Sequence, residues 1–479
     1  MYNIILIITD TFRYDNLADK CKTMPVCTPE LDSFSENKAT SVEGFYTGSF
    51  PTIPHRTDIA TGRLGWLFYG WQPIDLSSRN HIASMLNSKD YVTQLICDCP
   101  HLFNARFQFG FHASVQNRGQ EGDKALLHMN DPIEKVMPDE KTRLNPMFMG
   151  YHLADMHRWH NRYWQSEFDT FPSKTGMMTI KWLEENYKYN PFFLWVDFFD
   201  PHEPWDPPEY MVKRYDHDYN ETPMIHPNYG KSSAYTEAEL RNLRAHYSAE
   251  AELVDRWIGM VIRKIDDLEL WKNTVVIITS DHGMSLGEHE RTGKSNISNE
   301  DNRYWSLYPE IGHVPFLVAS PDVPKGSKLD IFAQPMDFLP TALDLAKVEL
   351  TPPEQFHGKS FADALRSGKG KHRDFIVSGC HVRSKQEGSV PNKASTPFIM
   401  TKKWGYAPVG ANGKPELYDI SIDPLAENDI GKDNETVVKE MHDLLISYLK
   451  EHNAPEDMLK CWGKNPHLNA DGSWAIDYS

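Results

Sequence analysis

The chain has 479 residues, 40% of them hydrophobic, which is enough to fill a core and allows one large domain or up to three small ones. Its 50 Lys and Arg stand against 67 Asp and Glu, a formal charge of −17. That balance disfavours general nucleic-acid or anionic-membrane binding, because phosphate backbones demand a basic surface, so any anion is held by a local site.

No apolar run is long enough to span a bilayer, and the six cysteines form no metal-type pair of pairs. Cys97 and Cys99 flank only Asp98, a poor spacing for a disulfide. The chain enters its first apolar run at Ile4 without a basic leader, so the expectation is a reducing, cytoplasmic setting, although a chain trimmed of a signal peptide would read the same.

In chain order, Asn3 to Asp10 is a continuous β-branched run ending in a carboxylate, the pattern of a strand buried on both faces. Runs at Val92 to Cys97, 192 to 199 and Thr274 to Ser280 share that form, the last followed by Asp281-His282-Gly283. Between the last two runs, from 237 to 268, apolar residues recur every three or four positions, as on a helix. Residues 119 to 235 are rich in Met, His, Trp, Tyr and Pro with weak periodicity, which fits loops walling a pocket or ordinary packing. From 373 to 418 the strands read shorter and more polar, and an amphipathic helix follows over about 435 to 451. The expected fold is α/β, with a large mainly parallel sheet between helices over residues 1–370. A small C-terminal α+β subdomain, with a short antiparallel sheet, a helix and a tail, is expected over 371–479. Such sheets place their sites at the carboxyl ends of strands.

Asp10 at the first strand end reads equally as a turn cap or a ligand. Asp281 and His282 at a second strand end strengthen the ligand reading, since a carboxylate beside an imidazole suits a divalent ion. Gly283 is expected to let the backbone turn sharply there. In the stretch Ser49 to Arg63, Thr52 opens a helix whose amides favour an anion, with Arg56 one turn on and facing the same way. The alternative there is a capped turn with no chemistry.

Thr52-Ile53-Pro54-His55-Arg56 with Thr61-Gly62-Arg63 resembles the sulfatase signature, in which Cys or Ser, any residue, Pro, any residue and Arg precede a Thr-Gly-Arg. Four further motifs continue the resemblance over some 420 residues: Phe199-Asp-Pro-His202-Glu-Pro204, Asp281-His-Gly through Lys294, His313-Val-Pro-Phe, and Glu416-Leu-Tyr-Asp419 with Asp423-Pro424. The chain is thereby similar to the alkaline phosphatase superfamily, which implies that superfamily's sandwich fold.

Two departures from the family pattern bear on the chemistry. Sulfatases oxidise the signature Cys or Ser to formylglycine, whose hydrate expels sulfate without attack on sulfur; Thr52 is neither, so no formylglycine is expected. A Thr ester must be cleared by water attacking the central atom, a route phosphorus accepts readily and which phosphodiesterases and phosphoethanolamine transferases of the superfamily use. Where many sulfatases carry Gly-Lys-Trp-His-Leu, this chain has Asp98-Cys-Pro-His101-Leu and loses that Lys.

The set Asp10, Thr52, Asp281 and His282 resembles the metal ligands of phosphonate monoester hydrolases, which carry one ion. An imidazole in place of an oxygen ligand moves preference from Ca²⁺ toward Mn²⁺ or Zn²⁺. A second metal would draw on Asp200, His202 or His313, but Lys294 stands where its charge replaces one. The resemblance thus implies a metal-dependent hydrolase of a phosphodiester, phosphonate or phosphate monoester. In it Thr52 is the nucleophile, Arg56 and Lys294 hold the oxyanion, His202 is the general acid, and His101 and His313 are weaker substrate-binding candidates. The alternatives are a sulfuric ester hydrolase working without formylglycine, or a phosphoryl-group transferase, for which the expected membrane spans are missing. His289 is expected to pack or to steer Lys294, and Asp58 to pair with an Arg or cap its helix. His157 to Trp164 reads as packing before it reads as pocket lining. The partner is a small anionic ester, its leaving group chosen by the loops 119 to 235 and 290 to 312, and a homo-oligomer stays open.

Overall fold

A computed structural model describes residues 1–75, 80–123, 136–142, 153–296, 301–385 and 388–475. Its centre is an eight-stranded sheet: β1 (Asn3–Thr9), β2 (Thr40–Phe45), β3 (Val92–Cys97), β4 (Ala113–Gln116), β5 (Phe192–Phe198), β6 (Thr274–Ser280), β7 (Phe316–Ala319) and β8 (Ser327–Ala333). The spatial order is β8-β2-β7-β6-β1-β5-β3-β4. All neighbours run parallel except β7, which is antiparallel to both β2 and β6. The mainly parallel sheet expected from the sequence is therefore present, with one reversed strand.

β1 is buried along its whole length, which its unbroken apolar run requires. Ile5 and Ile7 enter one core, with α2 (Phe171–Asn186) and α3 (Glu237–Asp267). Ile4, Leu6 and Ile8 enter the other, with α1 (Thr52–Thr61) and the helix Phe338–Leu345. A capping box between Thr236 and Glu239 starts α3 where the periodic pattern begins. The ladder carries β1 and β6 one residue further, Asp10 N donating to Phe198 O at 3.0 Å and Asp281 N to Thr9 O at 3.2 Å. This places both carboxylates side by side at the carboxyl edge.

α2 lies in the stretch whose periodicity read as weak. Its buried face includes Ser173, Thr175, Gly176 and Thr179, small or polar residues that an apolar pattern does not reveal. A Cβ on Gly176 would lie 2.9 Å from the Trp257 ring, so the small face is what lets α2 approach α3. Parts of the two loops expected to choose the leaving group, 124–135, 143–152 and 297–300, lie outside the described residues.

The C-terminal part holds an antiparallel sheet of β9 (Phe375–Ser378), β10 (Phe398–Thr401), β11 (Trp404–Ala407) and β12 (Glu416–Asp419), followed by α4 (Glu435–Glu451). Ile399, Tyr406 and Leu417 pack on Val438, Met441 and Leu445 of α4. The opposite face, Phe398, Met400 and Tyr418, packs on Tyr46, Phe50, Leu307 and Tyr308, next to the carboxyl edge of the large sheet. No disulfide joins the six cysteines, and among the described residues no helix is long and apolar enough to cross a membrane.

The turn after β1 is pinned by buried Arg13, which donates to Glu288 at 2.7 Å, Met284 O at 3.1 Å and Asp15 at 2.7 and 2.8 Å. Burial works against ionising Glu288, but Arg13, the Thr23 hydroxyl and the Leu286 amide outweigh it and hold the carboxyl down at about 2. Such a depressed carboxylate stabilises the fold above its unfolded value of 4.5 and loses that contribution as pH falls toward 2. Glu288→Gln is expected to cost roughly 3 kcal/mol at pH 7. Thermal melts between pH 5 and 3 should then show a shallower acid decline in the variant than in the wild type; parallel curves would contradict the pairing.

Candidate functional site

Asp10, Asp281 and His282 converge at the carboxyl edge, all with no exposure, their ligand atoms within 4.8 Å of one another. His282 Nδ1 lies 3.1 Å from Gly283 O, which can only accept, so Nδ1 carries the proton and Nε2 keeps its lone pair. Nε2 sits 3.6 Å from Asp281 and 3.9 Å from Asp10 and has no hydrogen-bond partner. Burial, with Lys294 nearby, pushes the imidazole down to about 3, so it is neutral as a ligand must be. Burial and the charge of Asp10 push Asp281 up, whereas at Asp10 the charge of Arg56, with Lys294 nearby, offsets burial and the carboxyl is held down. Two adjacent buried carboxyls and an orphaned imidazole nitrogen fit a divalent cation, which would supply the missing positive charge.

Gly283 has an ordinary backbone, and the expected sharp turn is not why a glycine stands there. A Cβ would lie 2.2 Å from Glu310 O and 2.9 Å from Arg13 Cγ, so the requirement is space. The strained residue is Thr11, at φ 64°, a costly value for a β-branched side chain. The left-handed turn aims its N–H at Asp281 Oδ1 (3.0 Å) while its hydroxyl donates to Asp10 Oδ1 (2.8 Å).

α1 has all ten residues buried and ends at Gly62, whose φ of 66° closes the helix. Thr52 begins it at 3% exposure, and among the described residues no group hydrogen-bonds its hydroxyl. Arg56 Nη1 joins this turn to the ligands, lying 3.3 Å from Thr52 O, 3.2 Å from Asp10 and 2.6 Å from Asp281. The guanidinium's other edge forms a fork with Asp197, Nη2 to Oδ1 at 2.8 Å and Nε to Oδ2 at 2.9 Å. Burial opposes the charge, but Asp197, Asp281 and Asp10 outweigh it and raise the Arg56 pKa well above its usual value. The expectation is that Arg56 helps to hold the oxyanion; in the structure its fork is occupied by Asp197.

Lys294 is 6% exposed, its Nζ 3.1 Å from the Thr11 hydroxyl, 3.4 Å from Glu203 and 4.0 Å from Asp10. His202 stacks on Phe199 with centroids 4.1 Å apart, and its Nδ1 donates to Glu203 O at 2.6 Å, leaving Nε2 with the lone pair. Burial pulls this imidazole below its usual pKa. His101 stands one ring further out, 5.6 Å from Phe199, with Nε2 on Glu121 at 2.7 Å and the half-exposed Trp71 at 5.0 Å.

His313 is not brought into this cluster. Its ring is sandwiched between Tyr14 (3.8 Å) and Tyr46 (4.3 Å) and its Nε2 pairs with Glu43 O at 2.9 Å, which corrects its place among the substrate-binding candidates. Asp58 neither pairs with an Arg nor caps its helix: it takes Ser49 N, Ser49 Oγ and Gly65 N, all within 2.9 Å, and burial lifts it to about 8. His289 packs, stacked on Tyr308 at 3.8 Å with Nε2 on Leu425 O. His157 and Trp164 pack together with Phe171. Sequence reasoning missed Asp197 and Glu203. The signal for Asp197 was a carboxylate inside a strand that is otherwise wholly apolar, since buried on both sides it must be paired.

The family model described as Sulfatase matches residues 2–348. A similar curated protein is the arylsulfatase of Clostridium perfringens, 25% identical over 456 residues and covering 88% of each chain. Among solved structures, the phosphonate monoester hydrolase of Agrobacterium radiobacter superposes with a TM-score of 0.70 at 19% identity, over 98% of this chain and 99% of that one. A protein solved with its substrate D-glucosamine-2-N,6-O-disulfate superposes with a TM-score of 0.69 at 18% identity, over 96% and 99%.

His282→Ala is expected to weaken Mn²⁺ or Zn²⁺ binding by at least about a hundredfold, because it removes the one nitrogen donor of the set. Melting curves in chelator and in added metal should then coincide for the variant and separate for the wild type; equal metal-induced stabilisation of both would remove His282 from the ligand set.

Proposed function

The chain belongs to the sulfatase family, and from that premise we propose a metal-dependent hydrolase of small anionic esters whose nucleophile is the Thr52 hydroxyl and whose preferred centre is phosphorus. The observation that carries this reading is the residue at the head of α1. A threonine, where the family signature has Cys or Ser, stands one hydrogen-bonded arginine away from Asp10 and Asp281. Threonine has no route to the aldehyde hydrate that lets sulfatases release sulfate without attack on sulfur. Its ester must be hydrolysed at the central atom, which phosphorus tolerates. Cys99, where the family's oxyanion-binding Lys would stand, supports the same preference, since burial keeps its thiol protonated and supplies no cation.

Asp10, Asp281, His282 and the Thr52 hydroxyl would hold one ion, Mn²⁺ or Zn²⁺ before Ca²⁺. When bound it would lower the proton affinity of the hydroxyl and add positive charge beside the ester oxygens. Thr52, having lost its proton to water, attacks phosphorus through Oγ as the bond to the leaving oxygen breaks. Lys294 faces a non-bridging oxygen as a point charge. His202, whose proton affinity rises when the anionic ester lies beside it, takes a solvent proton at Nε2 and gives it to the leaving oxygen. In the second half water gives its proton back to His202 and attacks phosphorus, and Thr52 Oγ departs. Arg56 stays behind the nucleophile, holding its helix turn against the ligand carboxylates.

A sulfuric ester hydrolase without formylglycine is the second reading, favoured by the likeness to the arylsulfatase. Parallel assays with aryl sulfate, aryl phosphate, phosphodiester and phosphonate monoester, on protein of measured metal content, separate the two. The expected result is turnover of phosphorus esters at least about tenfold above sulfate. Thr52→Ala should lower kcat by at least about a thousandfold, and quenched wild-type protein should carry the phosphoryl mass on the Thr52 peptide. Near-normal turnover by Thr52→Ala would sink the nucleophile, and sulfate as the sole substrate would sink the phosphorus preference.

A further inference from the structure

Glu203 has no exposure and lies beside Lys294 and His202. One carboxylate oxygen accepts from the Tyr229 hydroxyl. The other lies 3.4 Å from Lys294 Nζ and 3.6 Å from His202 Nδ1, while the Glu203 backbone oxygen takes the proton on that same Nδ1 at 2.6 Å. Tyr229 is in turn 1% exposed and pressed against Gly293, where a Cβ would meet its Cα and ring at 2.9 Å. The tyrosine that fixes Glu203 therefore packs on the residue before Lys294.

We propose that Glu203 is a positioning residue that sets the place of Lys294 and the charge of His202 for the reaction. This rests on the reading of the site as one for anionic esters, and adds to it a group that touches neither substrate nor metal. Lys294 lies between two carboxylates. With Glu203 removed, the remaining attractor is Asp10, and the ammonium moves onto the metal ligands and off the oxyanion. His202 loses the counter-charge that favours its protonated form. Burial lowers its proton affinity most, and Glu203 is the strongest charge raising it.

The tests use the full-length, metal-loaded protein. Glu203→Gln keeps the size of the side chain and an acceptor for Tyr229 but removes the charge. Simple electrostatics predicts that losing a negative charge beside an anion site tightens anion binding, whereas misplacing Lys294 loosens it. Calorimetry with inorganic phosphate should give a dissociation constant raised about tenfold in Glu203→Gln, and Glu203→Asp should recover part of the loss. In turnover, kcat/KM should fall about tenfold for a 4-nitrophenyl ester and about a hundredfold for a phenyl or alkyl ester, because only the poorer leaving groups need the His202 proton. If Glu203→Gln does not fold, Tyr229→Phe, which frees the carboxylate, should move both quantities in the same direction by less.

Unchanged or tighter phosphate binding overturns the placing of Lys294, and equal losses for good and poor leaving groups overturn the charging of His202. A wild type that binds phosphate but hydrolyses no ester defeats the proposed hydrolase, while the phosphate arm still decides for or against Glu203. A wild type that does neither defeats both.

Discussion

Everything at the carboxyl edge of this sheet depends on the burial of one guanidinium among three carboxylates from three strands. Arg56 has no exposure and contacts Asp10 after β1, Asp197 within β5 and Asp281 after β6. Taking an ion from water costs several kcal/mol, and the cost is met only with all these partners and good geometry. α1 is therefore held to one position on the sheet by charge as much as by its apolar contacts. That position sets Thr52 O on the same guanidinium nitrogen that meets Asp10 and Asp281, so on the proposed reading a structural ion network and the chemistry share one set of atoms.

The same carboxylates explain why the site reads as a cation site inside a family of anion-handling enzymes. Asp10, Asp197, Asp281 and Glu203 face Arg56 and Lys294 within one buried cluster, a surplus of negative charge that suits a divalent ion. With that charge supplied, the proposed ester anion would meet Lys294, His202 and the N-terminal end of α1. The acidic molecule as a whole thus says little about what the pocket accepts, because the field at the site is set over distances shorter than the screening length.

Much of this was legible in the chain. An apolar run ending in a carboxylate marks a buried strand whose end must be used, and that logic reached Asp10, Asp281 and His282. The i to i+4 spacing placed Arg56 on the same face as Thr52, but spacing cannot say which carboxylate a guanidinium will meet. Asp197, about 140 positions away, occupies the fork of the arginine expected to hold the oxyanion. His313 sat in a family motif, and its enclosure by Tyr14 and Tyr46 depends on tertiary contacts that no local pattern carries. Gly283 was rightly seen as necessary and wrongly explained, because the close approach of Glu310 is a fact of packing. α2 was missed because it packs through small and polar residues, which a hydrophobic periodicity does not register.

A helix buried on every side has no flank to offer a ligand. α1 is such a helix, and Thr52 stands at its first turn, next to Phe50 and Pro51 in the chain. On the proposed reading the helix is a fixed piston with the reaction at its head. Changes of specificity among related chains then have little room to act through α1 itself, where any altered side chain would disturb two cores and the ion network together. They would fall instead on residues beyond the helix, such as the half-exposed Trp71 beside His101.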